Sequence, residues 1–214
     1  MKALWLFLIG LLASAPAWCD QIVWNQPFDQ TGYVYASQND TNGFGLYAQV
    51  YDNFTLTTNA NANLKISWEG AYFNPSQQGQ ITGWTINLYA DNADKPGNLL
   101  YTNHYVGNLN ETFLGTFGGN PVYSYQNPDP MPWVIAFNTR YWVSVYPDLG
   151  FPPQWGWATG LNGDGIAYQD YFGVQSQLNA DMAFTLTLVP EPSSILMLGT
   201  GLLAAAGVVR RRLL

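Results

Sequence analysis

The sequence predicts an all-β protein: a single β-sandwich, jelly-roll-like, followed by a C-terminal transmembrane helix. Three observations carry that expectation. Between residues 18 and 189, short apolar runs alternate with polar residues at period two, as in strands with one face buried. Clusters of Gly, Pro, Asn and Asp separate these runs at fairly regular spacing, the punctuation of a sandwich or barrel. No helical stripe appears before Ile195, and no internal repeat suggests a propeller or solenoid.

The strands follow in order. In 48–56, Ala48, Val50, Phe54 and Leu56 share one face, with a slip near Asp52 and Asn53. In 64–73, Leu64, Ile66, Trp68 and Gly70 alternate cleanly with Lys65, Ser67 and Glu69. Trp84, Ile86, Leu88 and Ala90 alternate with Thr85, Asn87 and Tyr89. A turn signal at 91–97 (Asp-Asn-Ala-Asp-Lys-Pro-Gly) then leads into a strand at 99–106. Runs at 133–137 and 140–146 flank Asn138-Thr139 and predict a hairpin. Runs at 154–159, 165–171 and 181–189 complete the set.

The two ends carry instructions of their own. After Lys2 comes an apolar stretch, 3–13, and then Ala15-Pro16-Ala17, the small-residue pattern of a secretory signal peptide. This predicts a leader of residues 1–17 cut after Ala17, with a cut after Cys19 as the rival site. Cys19 is the one cysteine, so the chain has no internal disulfide and must hold together by packing. Trp18 precedes it where lipid modification calls for a small residue.

At the C-terminus, Pro190 and Pro192 lack backbone donors and keep a helix from starting before them, while Ser193 or Ser194 suits an N-cap. The run 195–209 is apolar or small on every face, with no charge until Arg210, Arg211 and Arg212. At 1.5 Å per residue it spans about 22 Å, short of a hydrocarbon core of about 30 Å, and snorkelling arginines narrow the gap. The arginines would stay cytoplasmic and leave the body outside.

That succession of Pro190-Glu191-Pro192, an apolar helix and an arginine cluster, at the end of a chain with a signal peptide, resembles the PEP-CTERM sorting tail of Gram-negative bacteria. The resemblance covers 190–214 only. It implies recognition of Pro190-Glu191-Pro192 by an exosortase, cleavage nearby, a membrane stop at Arg210, Arg211 and Arg212, and transfer to the cell surface or release. Signal peptidase and exosortase are the partners implied during export. Separately, 89–101 resembles a hairpin of secreted bacterial sandwich domains.

For the body, 18–189, the three bases Lys65, Lys95 and Arg140 face thirteen acids, a net of −10. Such a surface repels phosphate backbones, which excludes nucleic-acid partners. His104 is the only histidine, and none of Ser67, Ser124 and Ser144 stands in a Gly-x-Ser-x-Gly turn, so it reads as a strand-surface histidine. If the cut falls after Cys19, one histidine without a mature cysteine does not make a zinc or copper site. Glycoside hydrolysis needs only two carboxyl groups about 5–10 Å apart, and Glu69, Glu111 and the aspartates keep that reading open.

Asp91, Asn92 and Asp94 offer hard oxygens in one loop, and Asn162 and Asp164 in another. They are candidate calcium ligands, although Asp and Asn are also the default turn residues. No other cofactor is expected. Trp155 and Trp157, one residue apart, face the same way on a strand and form either a sugar-stacking platform or part of the core; without disulfides the core is favoured. The pairs Tyr33/Tyr35 and Tyr168/Tyr171 are equally two-sided. The function expected first is a non-enzymatic, exported surface or matrix protein, with a carbohydrate-binding module second and a glycosidase or lyase third.

Overall fold

The computed structural model describes residues 20–57, 60, 61 and 63–189. Gln21–Val189 forms one compact unit. Its described residues lay down seventeen strands: β1 (Gln21–Gln26), β2 (Val34–Ala36), β3 (Gln38–Asp40), β4 (Gly45–Thr55), β5 (Ala60–Asn61), β6 (Leu64–Phe73), β7 (Gly83–Asp91), β8 (Pro96–Val106), β9 (Thr112–Phe117), β10 (Asn120–Gln126), β11 (Val134–Ile135), β12 (Arg140–Leu149), β13 (Gln154–Gly160), β14 (Ala167–Tyr171), β15 (Val174–Leu178), β16 (Asp181–Met182) and β17 (Phe184–Leu188).

They form two main sheets, as the alternation requires. The larger runs β1-β17-β6-β10-β9, and β13 joins it along the far half of β6, where Trp155 pairs with Tyr72 and Gln154 with Phe73. The other runs β15-β14-β4-β3-β12-β7-β8. A short β5–β11 ribbon stands apart from both. β6 has the expected bounds, and its alternation is real: Leu64, Ile66 and Trp68 are fully buried while Lys65, Ser67 and Glu69 face outward.

The turn signal at 91–97 closes the β7–β8 hairpin as predicted. The hairpin expected around Asn138-Thr139 does not form. β11 pairs with β5, whereas β12 lies between β4 and β7, so the two runs go to different neighbours. Nor does β4 slip at Asp52. The inward position is kept and filled by a fully buried carboxyl. Its Oδ2 accepts from Gln26 Nε2 at 2.9 Å and Met182 N at 2.6 Å, and its Oδ1 from Asn53 N at 2.7 Å. Burial pushes this carboxyl well above the ordinary aspartate range, against those donors and with the help of nearby Asp181.

The unexpected β9–β10 hairpin turns at Gly118-Gly119, where φ values of +56° and +84° suit glycine. The core lies between the sheets and is built on indoles. Trp84 of β7 meets Trp68 at 4.9 Å, Tyr125 at 4.5 Å and Trp155 at 5.0 Å between ring centroids, tying the two sheets together.

Trp155 and Trp157 both belong to this core and are fully buried, so the sugar-platform alternative for them is corrected. Trp155 Nε1 donates to Tyr125 Oη at 3.3 Å and Trp157 Nε1 to the Ala183 carbonyl at 2.8 Å. They do share a face, as period two demands; that face is the inner one. Among the described residues no helix is long and apolar enough to cross a membrane, and the leader and the expected helix at 195–209 lie outside them.

Replacing either Trp155 or Trp157 by alanine should cost about 3–5 kcal/mol, since each removal leaves a cavity between the sheets. Urea unfolding followed by tryptophan fluorescence measures this; a loss below about 1 kcal/mol would contradict the packing described.

Candidate functional site

The outward face of the larger sheet carries a polar groove of about 810 Å³. β6 sets its floor with Lys65, Ser67 and Glu69, and β10 lies beside it, Ser124 pairing with Glu69 and Gln126 with Ser67. The β8–β9 connection forms one wall. There Asn108 Oδ1 accepts from Asn110 N at 3.2 Å, and both Leu109 and Asn110 take φ of +53°. A leucine in that region is uncommon, and here its side chain packs against the core, which offsets the strain.

The other wall is closed at Asn127, a buried amide that extends the strand ladder with its side chain. Its Oδ1 accepts from Ile66 N at 2.7 Å, and its Nδ2 donates to the Asp129 carbonyl at 2.6 Å.

Glu69 is the charged group that this enclosure perturbs. It is partly buried, and its carboxylate has no hydrogen-bond or ion-pair partner among the described residues. Loss of water alone raises its pKa to about 7. Strand alternation had placed Glu69 on the polar face; the groove that it shares with the β8–β9 connection is a tertiary feature.

The second carboxyl of a glycosidase pair is not brought here. Glu111, which follows the same loop, is held by the hydroxyls of Tyr72 at 2.8 Å and Tyr125 at 3.2 Å, two residues of the inner face. No aspartate lines the groove.

The other sequence candidates have structural partners. His104 is exposed on β8, with Nε2 2.9 Å from Asp148 Oδ2 and no serine in that pair. Ser67 and Ser124 face the groove on the other sheet, and buried Ser144 accepts from Gln49 Nε2 at 3.0 Å. In the candidate calcium loops, Asp91 accepts from Trp142 Nε1 at 2.8 Å, and Arg140 bridges Asp94 and Asp164. Asn53 Nδ2 also donates to Asp164 at 2.9 Å. No group of three or more His, Cys, Asp or Glu suited to a metal occurs among the described residues.

Sequence reasoning missed Asp40. It is buried at the end of β3 and accepts from the backbone N–H of Asn42 at 2.9 Å, Phe44 at 2.8 Å and Phe151 at 2.7 Å. Burial alone would raise its pKa, but these backbone donors outweigh it and hold the carboxyl below the usual range. An Asp two residues before an Asn-Gly pair is the local signal for such a turn; the long-range bond to Phe151 has no sequence signal.

At the chain's end, β17 closes at Leu188 and Val189 N donates to the Asn63 carbonyl at 2.8 Å. Residues 188–212 match the PEP-CTERM protein-sorting motif. The chain carries a PEP-CTERM sorting tail. The motif marks an exported protein, handled at the membrane by an exosortase on its way to the cell surface. It includes Pro190, Glu191, Pro192, Arg210, Arg211 and Arg212, and begins in the last residue of β17, so no spacer separates the sandwich from the signal. No curated protein matches the chain.

The raised pKa of Glu69 fixes a pH dependence. The folded state holds this proton more tightly than the unfolded chain does. Its contribution to stability is therefore full below about pH 4.5 and is lost as pH rises through about 7. Glu69→Gln should stabilise the protein at pH 8, by on the order of 2 kcal/mol. The gain should vanish below pH 4.5. Urea unfolding across this range measures it; a gain independent of pH would refute the assignment.

Proposed function

We propose that this protein is a non-enzymatic surface or matrix protein whose β-sandwich is delivered outside the cell by its PEP-CTERM tail. One observation carries the non-enzymatic part: among the described residues the groove holds one carboxylate, and Glu111 is engaged by Tyr72 and Tyr125, two residues of the opposite face of the same sheet. An acid without a second carboxyl lacks the base or nucleophile that glycoside hydrolysis requires.

Binding is the second reading, favoured by the groove itself. Hydroxyls and amides from Ser67, Ser124, Asn108, Thr112 and Gln126 line it beside Glu69, a set suited to the hydroxyl groups of an extracellular polysaccharide. With Glu69 close to half-protonated at neutral pH, an uncharged polymer fits better than a polyanion, because the body is already net negative.

The non-enzymatic reading is tested by incubating the protein with neutral glucans and uronate polymers, then assaying reducing ends and unsaturated products. No turnover is expected. Turnover abolished by Glu69→Gln would make the protein an enzyme.

The tail is tested by replacing Arg210, Arg211 and Arg212 with neutral residues. The membrane stop should weaken, since positive charge resists translocation, and fractionation should show altered processing and location. Unchanged processing would deny these arginines a role in sorting.

A further inference from the structure

Three turns far from the groove assemble an exposed aromatic cluster. Phe44 comes from the β3–β4 turn, Phe151 from the β12–β13 connection, and Tyr171 and Phe172 from the β14–β15 turn. Phe44 lies 5.9 Å from Phe172 and 6.2 Å from Phe151 between ring centroids, and Tyr171 lies 5.0 Å from Phe172. Tyr47, buried beneath, touches Phe44, Tyr171 and Phe172 at 5.2–6.0 Å. Phe44 is 61 % exposed and Phe172 57 % exposed.

The turn itself does not call for a phenylalanine at 172. Phe172 takes φ of +50° and Gly173 takes +79°, the conformation of a two-residue hairpin turn in which Asn-Gly is the favoured pair. A phenylalanine there is strained, and its exposure shows that burial does not offset the strain. Leu109 has a similar φ but packs against the core; Phe172 packs only on the surface rings and the edge of Tyr47 and leaves more than half of its area in water.

The cluster is also held in advance. The Asp40 carboxylate ties the Phe44 turn to the Phe151 loop through backbone N–H groups, and Phe172 N donates to the Tyr47 carbonyl at 2.7 Å. Gln154 Nε2 donates to Tyr47 Oη at 2.9 Å. Rings fixed at three turns lose little conformational freedom on binding.

Charge selects the occupant. Lys65 pairs with Thr187 near the end of β17, and Arg140 starts β12, whose other end reaches the cluster. Lys95 lies in the turn after β7, beside the start of β12. All three bases of the body thus lie at the opposite end of the sandwich, roughly the 30 Å length of a ten-residue strand away. Among the described residues, an anionic lipid or nucleic-acid surface finds no cation here. Exposed Asn42 and Gln175 and partly buried Asp170 flank the rings, the hydrogen-bonding groups that accompany aromatic stacking on sugars.

We propose that Phe44, Tyr171 and Phe172 form a stacking site for the pyranose rings of an uncharged extracellular polysaccharide, separate from the Glu69 groove. It shares the polysaccharide class with the binding reading of the groove but stands on different residues. The two can therefore fail independently.

The test is affinity gel electrophoresis of the full chain in a polyoxyethylene detergent, with hydroxyethylcellulose or galactomannan cast in the gel. Retardation is expected from at least one polymer, and Phe172→Asn should weaken it at least tenfold, as should Phe44→Ala. Phe172→Asn should leave the melting temperature unchanged or raise it, because asparagine suits the turn, so lost retardation cannot be put down to unfolding. Glu69→Gln reports the groove alone and should leave this component in place. The proposal is overturned if neither polymer retards the protein or if Phe172→Asn binds like the original chain. It is also overturned if the variant instead abolishes self-association, measured by sedimentation, or adsorption to neutral lipid vesicles.

Discussion

The packing of Trp68, Trp84, Tyr125 and Trp155 between the two sheets is the constraint on which the structure depends. The only cysteine is residue 19, so no disulfide limits the unfolded chain, and the body's stability must come from buried area. Large aromatics supply that area with few rotatable bonds. Trp84 reaches across from β7 to meet β6, β10 and β13, so one side chain fixes the spacing and registry of both sheets. The indole N–H groups of Trp68 and Trp84 have no acceptor among the described residues, at a cost of about 1–3 kcal/mol each.

With the interior filled by rings, the buried polar groups act as fasteners at its margins, and two aspartates show how context sets their chemistry. Asp40 sits where two turns meet, and its backbone donors keep it ionised. Asp52 is enclosed more deeply, with Asp181 nearby, so desolvation and like charge win although three donors reach it. Glu69 has no donor, and desolvation acts unopposed. The number of donors and the access of water decide each outcome; residue type does not.

The sandwich is polar along its length. One end carries the bases and the exit of the chain into the sorting tail, and the other carries the exposed rings. Between them the outer face of the larger sheet holds the groove. The sorting motif begins where β17 ends, and β17 is held between β1 and β6, so the signal is attached directly to a central strand.

The sequence by itself determined what is local or periodic. The bounds of β6, its inward and outward faces, the β7–β8 turn and the tail were legible because strand period, turn residues and a contiguous motif are short-range signals. The absence of a disulfide also foretold that Trp155 and Trp157 would favour the interior. Only the tertiary structure decided pairing and proximity. β11 and β12 look like a hairpin because they are adjacent in sequence, yet hydrogen bonding sends them to different partners. Asp52 interrupts an apolar pattern and reads as a slip, until Gln26 and Met182 arrive from distant strands to satisfy it. Glu69 became a perturbed acid because the fold sets it in a groove lined from distant strands and loops, and Phe44, Phe151 and Phe172 became neighbours because three turns meet at one end. Such contacts join residues far apart along the chain, and no local pattern encodes them.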